Sequence, residues 1–300
     1  MVRRKITERK TENSRWAVFR LIREVNHMPE LPEVENVKNT LNRLVGGKTI
    51  KEVSVLWSNI IKHPELDEFK LRLKGQTIQN VERRGKFLKI FLDHDVLVSH
   101  LRMEGKYGLN QLEDPSDKHT HVLFSFTDGT QLRYRDVRKF GTMHLYPIGK
   151  EEQELPLSKL GYEPFSAELT PSVMKKMFSR TSRSIKAVLL DQSLITGLGN
   201  IYVDEILFAS GIHPEKKANE VSLPRLKKLH EHMVSILKNS VEKGGSTIRS
   251  YTNSEGKSGK FQLELFVYGK KGEPCKTCGS EINRSVVAGR GTHFCSKCQK

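Results

Sequence analysis

Hydrophobic residues between Val34 and Leu44 recur at spacings of three and four, the period of one face of an α-helix. Pro32 and Glu33 are residue types favoured in a first helical turn, and the glycine pair 46–47 ends the pattern. The sequence therefore predicts one amphipathic helix in this segment.

Short apolar or alternating runs follow this helix and are typical of β-strands. The runs cover residues 49–57, 86–92, 96–103, 121–127 and 130–136. The Asp128-Gly129 pair between the last two runs favours a tight hairpin turn. An antiparallel sheet or sandwich is the predicted architecture of this half of the chain.

The character of the sequence changes in the middle of the chain. Residues 147–164 concentrate Pro, Gly and charge without a clean period, so we place a domain linker there. Helical patterns follow at 171–180, 184–192, 200–211 and 222–245. The last two end in glycine, and the last opens at Ser222, a common helix-capping residue type. Residues 249–261 are polar and Gly-rich, and we expect a mobile loop there.

Composition adds a class of partner to this picture. The 300 residues include 51 Lys and Arg against 35 Asp and Glu, a formal charge of +16. Such a balance suits a polyanion, because neutralised phosphates release condensed counterions, although a merely basic soluble protein is the alternative. No apolar run approaches the roughly 20 residues of a membrane-spanning helix, and no signal-peptide pattern is present. We expect a soluble, cytoplasmic protein without a membrane partner.

The cysteines indicate a metal site. All four lie in the last 26 residues, as two Cys-x2-Cys pairs separated by sixteen residues. In an intracellular chain this spacing is typical of a zinc ribbon, and the alternative of disulfides is disfavoured there. Four thiolates fill the coordination shell, so one structural Zn²⁺ is predicted. Its ligands would be Cys275, Cys278, Cys295 and Cys298.

A series of motifs resembles the bacterial formamidopyrimidine-DNA glycosylase family, repair enzymes that excise 8-oxoguanine and nick the abasic site. The motifs are MPELPEVE, RRGKFL, SHLRMEGKY, RDVRKFG, GLGNIYVDEILF, GIHP and the terminal YGKKGEPC with its cysteine pairs. The similarity runs from Met28 to Lys300. An oxidised-pyrimidine glycosylase of the endonuclease VIII branch is the alternative enzyme, but the PELPEVE start favours the formamidopyrimidine branch.

The resemblance implies an α+β multidomain fold. An N-terminal antiparallel β-sandwich with flanking helices is expected at 28–160 and would be the catalytic domain. A helix-two-turns-helix DNA-binding domain with a lesion loop is expected at 161–262, and the zinc ribbon at 263–300. Residues 1–27 form a leader outside this arrangement.

The resemblance also assigns catalytic roles. Removing a base and breaking the backbone calls for an amine that attacks the sugar C1′ and leaves an iminium for β,δ-elimination. An N-terminal proline offers a secondary amine, and the family resemblance gives this role to Pro29. It implies that Glu30 protonates the ribose ring oxygen and that Glu33 helps to position the amine. It further implies that Lys86 contacts the lesion phosphate and assists elimination.

Contacts to DNA follow from the same resemblance. Because a stacked base is out of reach, the lesion nucleotide must be extruded and the gap supported. Met103 and Phe140 suit a wedge in the base stack, and Arg138 suits a hydrogen bond to the orphaned cytosine. Core packing is the commoner fate of an isolated Met or Phe. Glu205 resembles a functional position, with an ion pair on its helix as the alternative. The resemblance implies that Asn200 and Arg290 are phosphate clamps, and it groups Arg290 with the catalytic residues. It implies Lys186 as a further DNA contact, and Arg249 and Tyr251 as contacts from the lesion loop.

The leader decides whether this chemistry is available. It carries a charge of +5 and has three interpretations: a transit peptide, a basic arm, or upstream sequence read as protein. The third is favoured, because codons for Arg23-Glu24-Val25 can form a ribosome-binding sequence just before Met28. If the leader is retained, the Pro29 nitrogen is an amide, and a non-catalytic zinc protein that binds duplex DNA is the expectation. Otherwise we expect a monomeric enzyme acting on double-stranded DNA with oxidised bases or abasic sites.

Overall fold

The computed structural model describes residues 28–246 and 260–300. The leader therefore lies outside the described residues. So do Arg249, Tyr251 and most of the predicted loop at 249–261.

The predicted amphipathic helix is confirmed as α1, Leu31–Val45. Glu30 is its N-cap residue, and the Glu33 carboxylate accepts a hydrogen bond from the Glu30 N–H over 3.0 Å. This exchange satisfies one of the N–H groups that a helix start leaves without an intrahelical partner. Of the face predicted from the spacing, Val34, Val37 and Leu41 are buried and Leu44 is partly buried. Leu31 and Val45, at the two ends of the helix, are buried as well.

A four-stranded antiparallel sheet contains three of the predicted strands. Its order is β1 (Ile50–Val55), β7 (Thr120–Phe126), β8 (Thr130–Arg135) and β6 (Lys106–Gln111). β7 and β8 pair across the Asp128-Gly129 turn, in which Gly129 has φ 84°, so the hairpin prediction is confirmed.

A five-stranded sheet faces it. Its order is β2 (Ile61–His63), β9 (Thr142–Pro147), β5 (Asp95–His100), β4 (Phe87–Phe91) and β3 (Asn80–Arg84). All neighbours are antiparallel except β2 and β9, whose short parallel pairing departs from the predicted sandwich. A short helix, α2 (Leu66–Leu73), follows β2, and the long connection from β2 to β9 runs through this helix and the strands β3 to β8.

One hydrophobic core lies between the two sheets and α1. It includes Leu41 of α1, Phe124 of β7, Leu132 of β8, Leu97 of β5 and Leu145 of β9. The N-terminal half is therefore a β-sandwich flanked by helices, as predicted.

The second half is helical and has its own core. All four predicted helices are present, as α3 (Pro171–Phe178), α4 (Ile185–Leu189), α5 (Asn200–Ala209) and α6 (Leu223–Glu242). α5 is buried along most of its length and lies at the centre of this core. Ser222 is the N-cap residue of α6, and its side chain makes no capping bond.

The last module is a two-stranded hairpin of β10 (Asn283–Val287) and β11 (Arg290–Phe294). Phe208 of α5 joins Val267, Ile282 and two cysteines in a small apolar cluster beneath it. The module thus packs against α5 of the helical half. Among the described residues, no helix is both long and apolar enough to span a membrane.

Candidate active site

A cleft of about 440 Å³ lies where the sandwich, the helical half and the hairpin tip meet. Segments that are far apart in the chain contribute to it. The sequence-predicted residues on its lining are Glu30, Lys86, Met103, Asn200 and Arg290.

Glu30 is held at the N-terminus of α5. Its carboxylate accepts hydrogen bonds from the N–H of Ile201 at 2.9 Å and of Tyr202 at 3.4 Å. Burial raises the pKa of Glu30 to about 7, opposed by the charge of Lys86 and by these two backbone donors. A carboxyl group half protonated near neutral pH can act as a general acid. This property fits the role assigned to Glu30.

Gly199 permits this close approach. A Cβ atom added at Gly199 would lie 2.3 Å from the carboxyl carbon of Glu30. The backbone at this position is extended, so any residue could adopt its conformation. Space for the Glu30 carboxylate is therefore the reason that the position requires glycine.

Glu33 ties three segments together behind the cleft. One oxygen accepts the Glu30 N–H, and the other accepts the Tyr202 hydroxyl at 2.6 Å and the N–H of Ser246 at 2.7 Å. Burial raises the pKa of Glu33, and the bonds from Tyr202 and Ser246 oppose this rise. The Glu33 side chain is buried among these protein donors, and its grouping with the DNA-binding residues stays a prediction. Its position beside the backbone of Glu30 suits the expected role of orienting Pro29.

Lys86 presents an amine to the cleft. It is only 5 % exposed, and within the described residues it makes no hydrogen bond or ion pair. Burial lowers the pKa of Lys86, while the charges of Glu30 and Glu33 raise it and Arg290 lowers it further. A buried amine without a protein partner has its hydrogen-bonding capacity available for a ligand.

His100 was missed by sequence reasoning. It is buried at the end of β5, and its Nδ1 atom accepts the N–H of Arg102 at 2.9 Å. Burial, together with the charges of Arg102 and Lys86, holds the pKa of His100 well below its usual range. The neutral ring thus fixes the turn that carries Met103. A lone histidine inside an apolar run gives no signal of this role.

The loop bearing Arg138 and Phe140 is shaped by one carboxylate. The buried side chain of Asp136 accepts the N–H groups of Arg138 at 3.0 Å, Phe140 at 2.9 Å and Gly141 at 2.8 Å. The Arg138 guanidinium lies 4.8 Å from the centre of the Phe140 ring, which is 50 % exposed. A rigid loop therefore presents an aromatic wedge and a guanidinium to solvent.

The Met103 turn and the Arg138 loop share one neighbour. A Cβ atom added at Gly105 would lie 2.1 Å from the Tyr134 hydroxyl, and one added at Gly141 would lie 1.8 Å from it. Both loops thus close on the same side chain. The Lys139 ammonium lies 4.1 Å from the centre of the Trp57 ring and so supports the Arg138 loop.

The hairpin tip that carries Arg290 is fixed through its backbone. The Gly291 carbonyl accepts hydrogen bonds from the Asn200 side-chain amide at 2.9 Å and from Lys186 Nζ at 3.3 Å. Lys186 also donates to Asp204 at 2.6 Å. The Lys186 side chain has no exposed surface and forms a buried ion pair with Asp204, so its predicted contact to DNA stays a prediction. Lys186 supports the tip from behind.

Two acidic residues of α5 anchor the last module. Asp204 also accepts the His293 N–H at 2.8 Å. Glu205 accepts the N–H groups of three consecutive residues at 2.8–2.9 Å. Glu205 is therefore a backbone anchor, not the ion-pair partner that the sequence offered as an alternative. Both roles depend on docking between segments about 60 to 90 residues apart, which sequence patterns do not reveal.

The four cysteines fit one zinc ion. Their sulfur atoms all lie within 4.8 Å of one another, with Cys275 to Cys298 at 3.9 Å and Cys278 to Cys295 at 3.5 Å. Tetrahedral zinc with Zn–S bonds of about 2.3 Å requires sulfur atoms about 3.8 Å apart. Four thiolates leave no open position, so the site is structural, as predicted.

Three family models match the chain in order. They are described as the formamidopyrimidine-DNA glycosylase N-terminal domain at residues 28–143, the H2TH domain of that glycosylase at 160–252, and a zinc finger found in FPG and IleRS at 272–300. Together they cover most of the chain after the leader.

Individual relatives agree with these models. The formamidopyrimidine-DNA glycosylase of Bacillus subtilis is 61% identical over 273 residues, covering 91% of this chain and 99% of that protein. That of Geobacillus kaustophilus is 54% identical over 274 residues, covering 91% of this chain and 100% of that protein. Among solved structures, the wild-type Lactococcus lactis Fpg in complex with DNA containing N7-benzyl-Fapy-dG superimposes with a TM-score of 0.85 at 42% identity, covering 91% of this chain and 100% of that one.

Proposed function

Because the chain belongs to the formamidopyrimidine-DNA glycosylase family, we propose that it excises oxidised purines from duplex DNA and then cleaves the backbone at the abasic site. The substrates would be 8-oxoguanine and formamidopyrimidines. The observation that carries this proposal is the pairing in one cleft of a carboxyl group with a pKa of about 7, Glu30, and an amine, Lys86, that has no partner among residues 28–246 and 260–300.

The catalytic sequence begins at Pro29. Its neutral secondary amine forms a bond to the sugar C1′, and the bond from C1′ to the base breaks with its electron pair leaving on the base. The departing base takes up the proton that the amine loses. Glu30 donates its proton to the ring oxygen as the ring opens, which gives an iminium between Pro29 and C1′. The iminium acidifies the C2′–H, so loss of that proton expels the 3′ phosphate, and a second elimination expels the 5′ phosphate. Lys86 binds the lesion phosphate and assists these eliminations.

The exposed loops account for access to the base. Met103 and Phe140 would fill the space left by the extruded nucleotide, and Arg138 would bond the orphaned cytosine. Asn200 and Arg290 would hold phosphates on the opposite side of the cleft. Arg249 and Tyr251 are proposed as contacts to the everted base.

The zinc ribbon contributes through position. The bound zinc would stabilise a module too small for its own core, and through it the β10–β11 tip that carries Arg290. It supplies no step of the reaction.

Activity requires Pro29 to be the first residue of the mature protein. We propose that translation begins at Met28 and that this methionine is removed. The alignment of relatives over 273 residues at nearly their full length supports this start. We further infer a cytoplasmic enzyme that reaches its substrate in nucleoid DNA.

Borohydride trapping tests the proposal. A chain starting at Pro29 is incubated with a duplex containing 8-oxoguanine opposite cytosine, and a covalent adduct at Pro29 together with a nicked strand is expected. The 300-residue chain with its leader intact is the control and should give neither. Absence of an adduct from the Pro29 chain would refute the mechanism, and preferred cleavage of an oxidised pyrimidine would favour the endonuclease VIII alternative. Binding of duplex DNA without cleavage would favour the non-catalytic alternative.

A further inference from the structure

The Lys86 side chain makes no hydrogen bond or ion pair with any described residue. Its amine therefore lies where the backbone turn between β3 and β4 places it. Gly85 in this turn has φ 57°, a left-handed conformation that favours glycine. Whatever fixes the turn at Arg84 and Gly85 fixes the amine of Lys86.

The turn is held by a carboxylate from the other half of the chain. Glu163 lies in the segment predicted as the domain linker. Its carboxylate accepts the Gly85 N–H at 2.5 Å and forms ion pairs with Arg83 at 2.9 Å and Arg84 at 3.2 Å. One side chain thus engages three consecutive residues directly before Lys86.

Both arginines are also fixed at further points. Arg83 donates from Nε to Glu35 of α1 at 2.7 Å, and its side chain is 8 % exposed. Arg84 donates to the Gly161 carbonyl at 2.7 Å. Charge-assisted bonds in a partly buried network are stronger than isolated surface pairs. The network joins α1, the turn and the linker into one unit.

The opposite side of the turn touches the segment that leads to Glu30. A Cβ atom added at Gly85 would lie 2.1 Å from the Thr196 hydroxyl oxygen. Thr196 lies three residues before Gly199, where the Glu30 carboxylate is accommodated. The turn is therefore clamped between Glu163 and the loop that places the general acid.

We propose that Glu163 is a positioning residue for Lys86. Its negative charge holds the two arginines and the Gly85 N–H, and thereby aims the Lys86 amine at the lesion phosphate. This inference rests on the proposed function. In Glu163→Gln the amide retains an acceptor for Gly85 but cannot neutralise two guanidinium groups, so the turn relaxes. A displacement of about 1 Å at a reacting group costs about 100-fold in rate.

The test separates amine attack from elimination. Pro29 and Glu30 are untouched in Glu163→Gln, so the borohydride-trapped adduct should form at the normal rate. Strand nicking under single-turnover conditions should slow about 10- to 100-fold, so the adduct accumulates before the nick. Arg84→Gln removes one of the two arginine partners of Glu163. It should likewise slow strand nicking while the trapped adduct forms at the normal rate. Glu168→Gln is the matched control, because Glu168 lines the same surface depression but pairs with neither arginine among the described residues.

Each outcome decides the inference. Slow nicking with normal trapping in Glu163→Gln and Arg84→Gln, but not in Glu168→Gln, would support it. A nicking-to-trapping ratio like that of the wild type, or an equal loss of both activities at unchanged Tm, would overturn it. If Glu163→Gln fails to fold, Arg84→Gln decides alone. A wild-type chain that neither traps nor nicks would overturn the proposed function, and this inference with it.

Discussion

Substitution of Gly199 by alanine perturbs the general acid with a single methyl group. The backbone there is extended and accepts any residue, so no conformational strain is expected. The added Cβ atom would lie 2.3 Å from the Glu30 carboxyl carbon, whereas ordinary contact begins at about 3.4 Å. The carboxylate must therefore retreat by about 1 Å, away from the N–H groups of Ile201 and Tyr202.

The expected effect is on the rate of base excision. A 1 Å displacement of a catalytic group corresponds to a loss of about 100-fold, or about 2.7 kcal/mol of transition-state stabilisation. Binding to a duplex with an abasic-site analogue should not change, because the phosphate contacts and the wedge loop are untouched. Single-turnover excision of 8-oxoguanine measures the rate, and fluorescence anisotropy measures the binding.

Gly108→Ala is the matched control. Gly108 lies in β6, and an added Cβ atom would meet nothing closer than 3.7 Å. This variant should excise at the wild-type rate. If Gly199→Ala also keeps its excision rate within about threefold of the wild type, the placement of Glu30 as the proton donor is refuted.

Three further predictions follow from the same geometry. Because the pKa of Glu30 is raised to about 7 and its protonated form is the acid, the rate of excision should fall about tenfold per pH unit above that value. Glu30→Gln should lose the excision activity that shows this pH dependence. Lys186→Met leaves Asp204 buried without its partner and should destabilise the fold by about 3–5 kcal/mol in urea unfolding, whereas the exposed Lys176→Met should change little; equal stabilities would contradict the buried ion pair. Native mass spectrometry should find one zinc per chain, and its removal by a chelator should abolish DNA binding while most far-UV helical signal persists; retained binding would contradict the role of the hairpin tip.

Strong hydrophobic periodicity allowed some helices and strands to be predicted from the sequence. The α1 helix has spacings of three and four, and the β7–β8 hairpin has alternation around an Asp-Gly pair, so local patterns were sufficient. β3 and β6 were missed because their residues, NVERR and KYGLNQ, are largely polar and half exposed at the sheet edges. Each of these two strands has only one fully buried position, so neither carries the apolar alternation that predicted the other edge strand, β1.

The candidate site was predictable only where residue type determines the role. Cysteine spacing gave the metal ligands, and the family motifs brought Glu30, Lys86, Asn200 and Arg290 to one cleft. The burial of Lys186 could not be predicted, because a lysine in a helical pattern is normally exposed and its partner Asp204 lies on another helix. The contact of Glu163 with Gly85 could not be predicted either, since nothing in the sequence of a charged linker indicates which residue a glutamate contacts.

The distance along the chain between the partners of Glu30 and Glu33 bears on synthesis of the protein. Glu33 meets Ser246 across 213 residues, and Glu30 meets Ile201 across 171. A chain emerging from the ribosome folds its N-terminal domain first. The proposed nucleophile, Pro29, and the proposed acid, Glu30, are thus made first, but Glu30 gains its hydrogen-bond partners only after the helical half has emerged and docked. A nascent or truncated chain would therefore expose an amine with no organised proton donor, and genomic DNA would meet the cutting activity only in finished molecules.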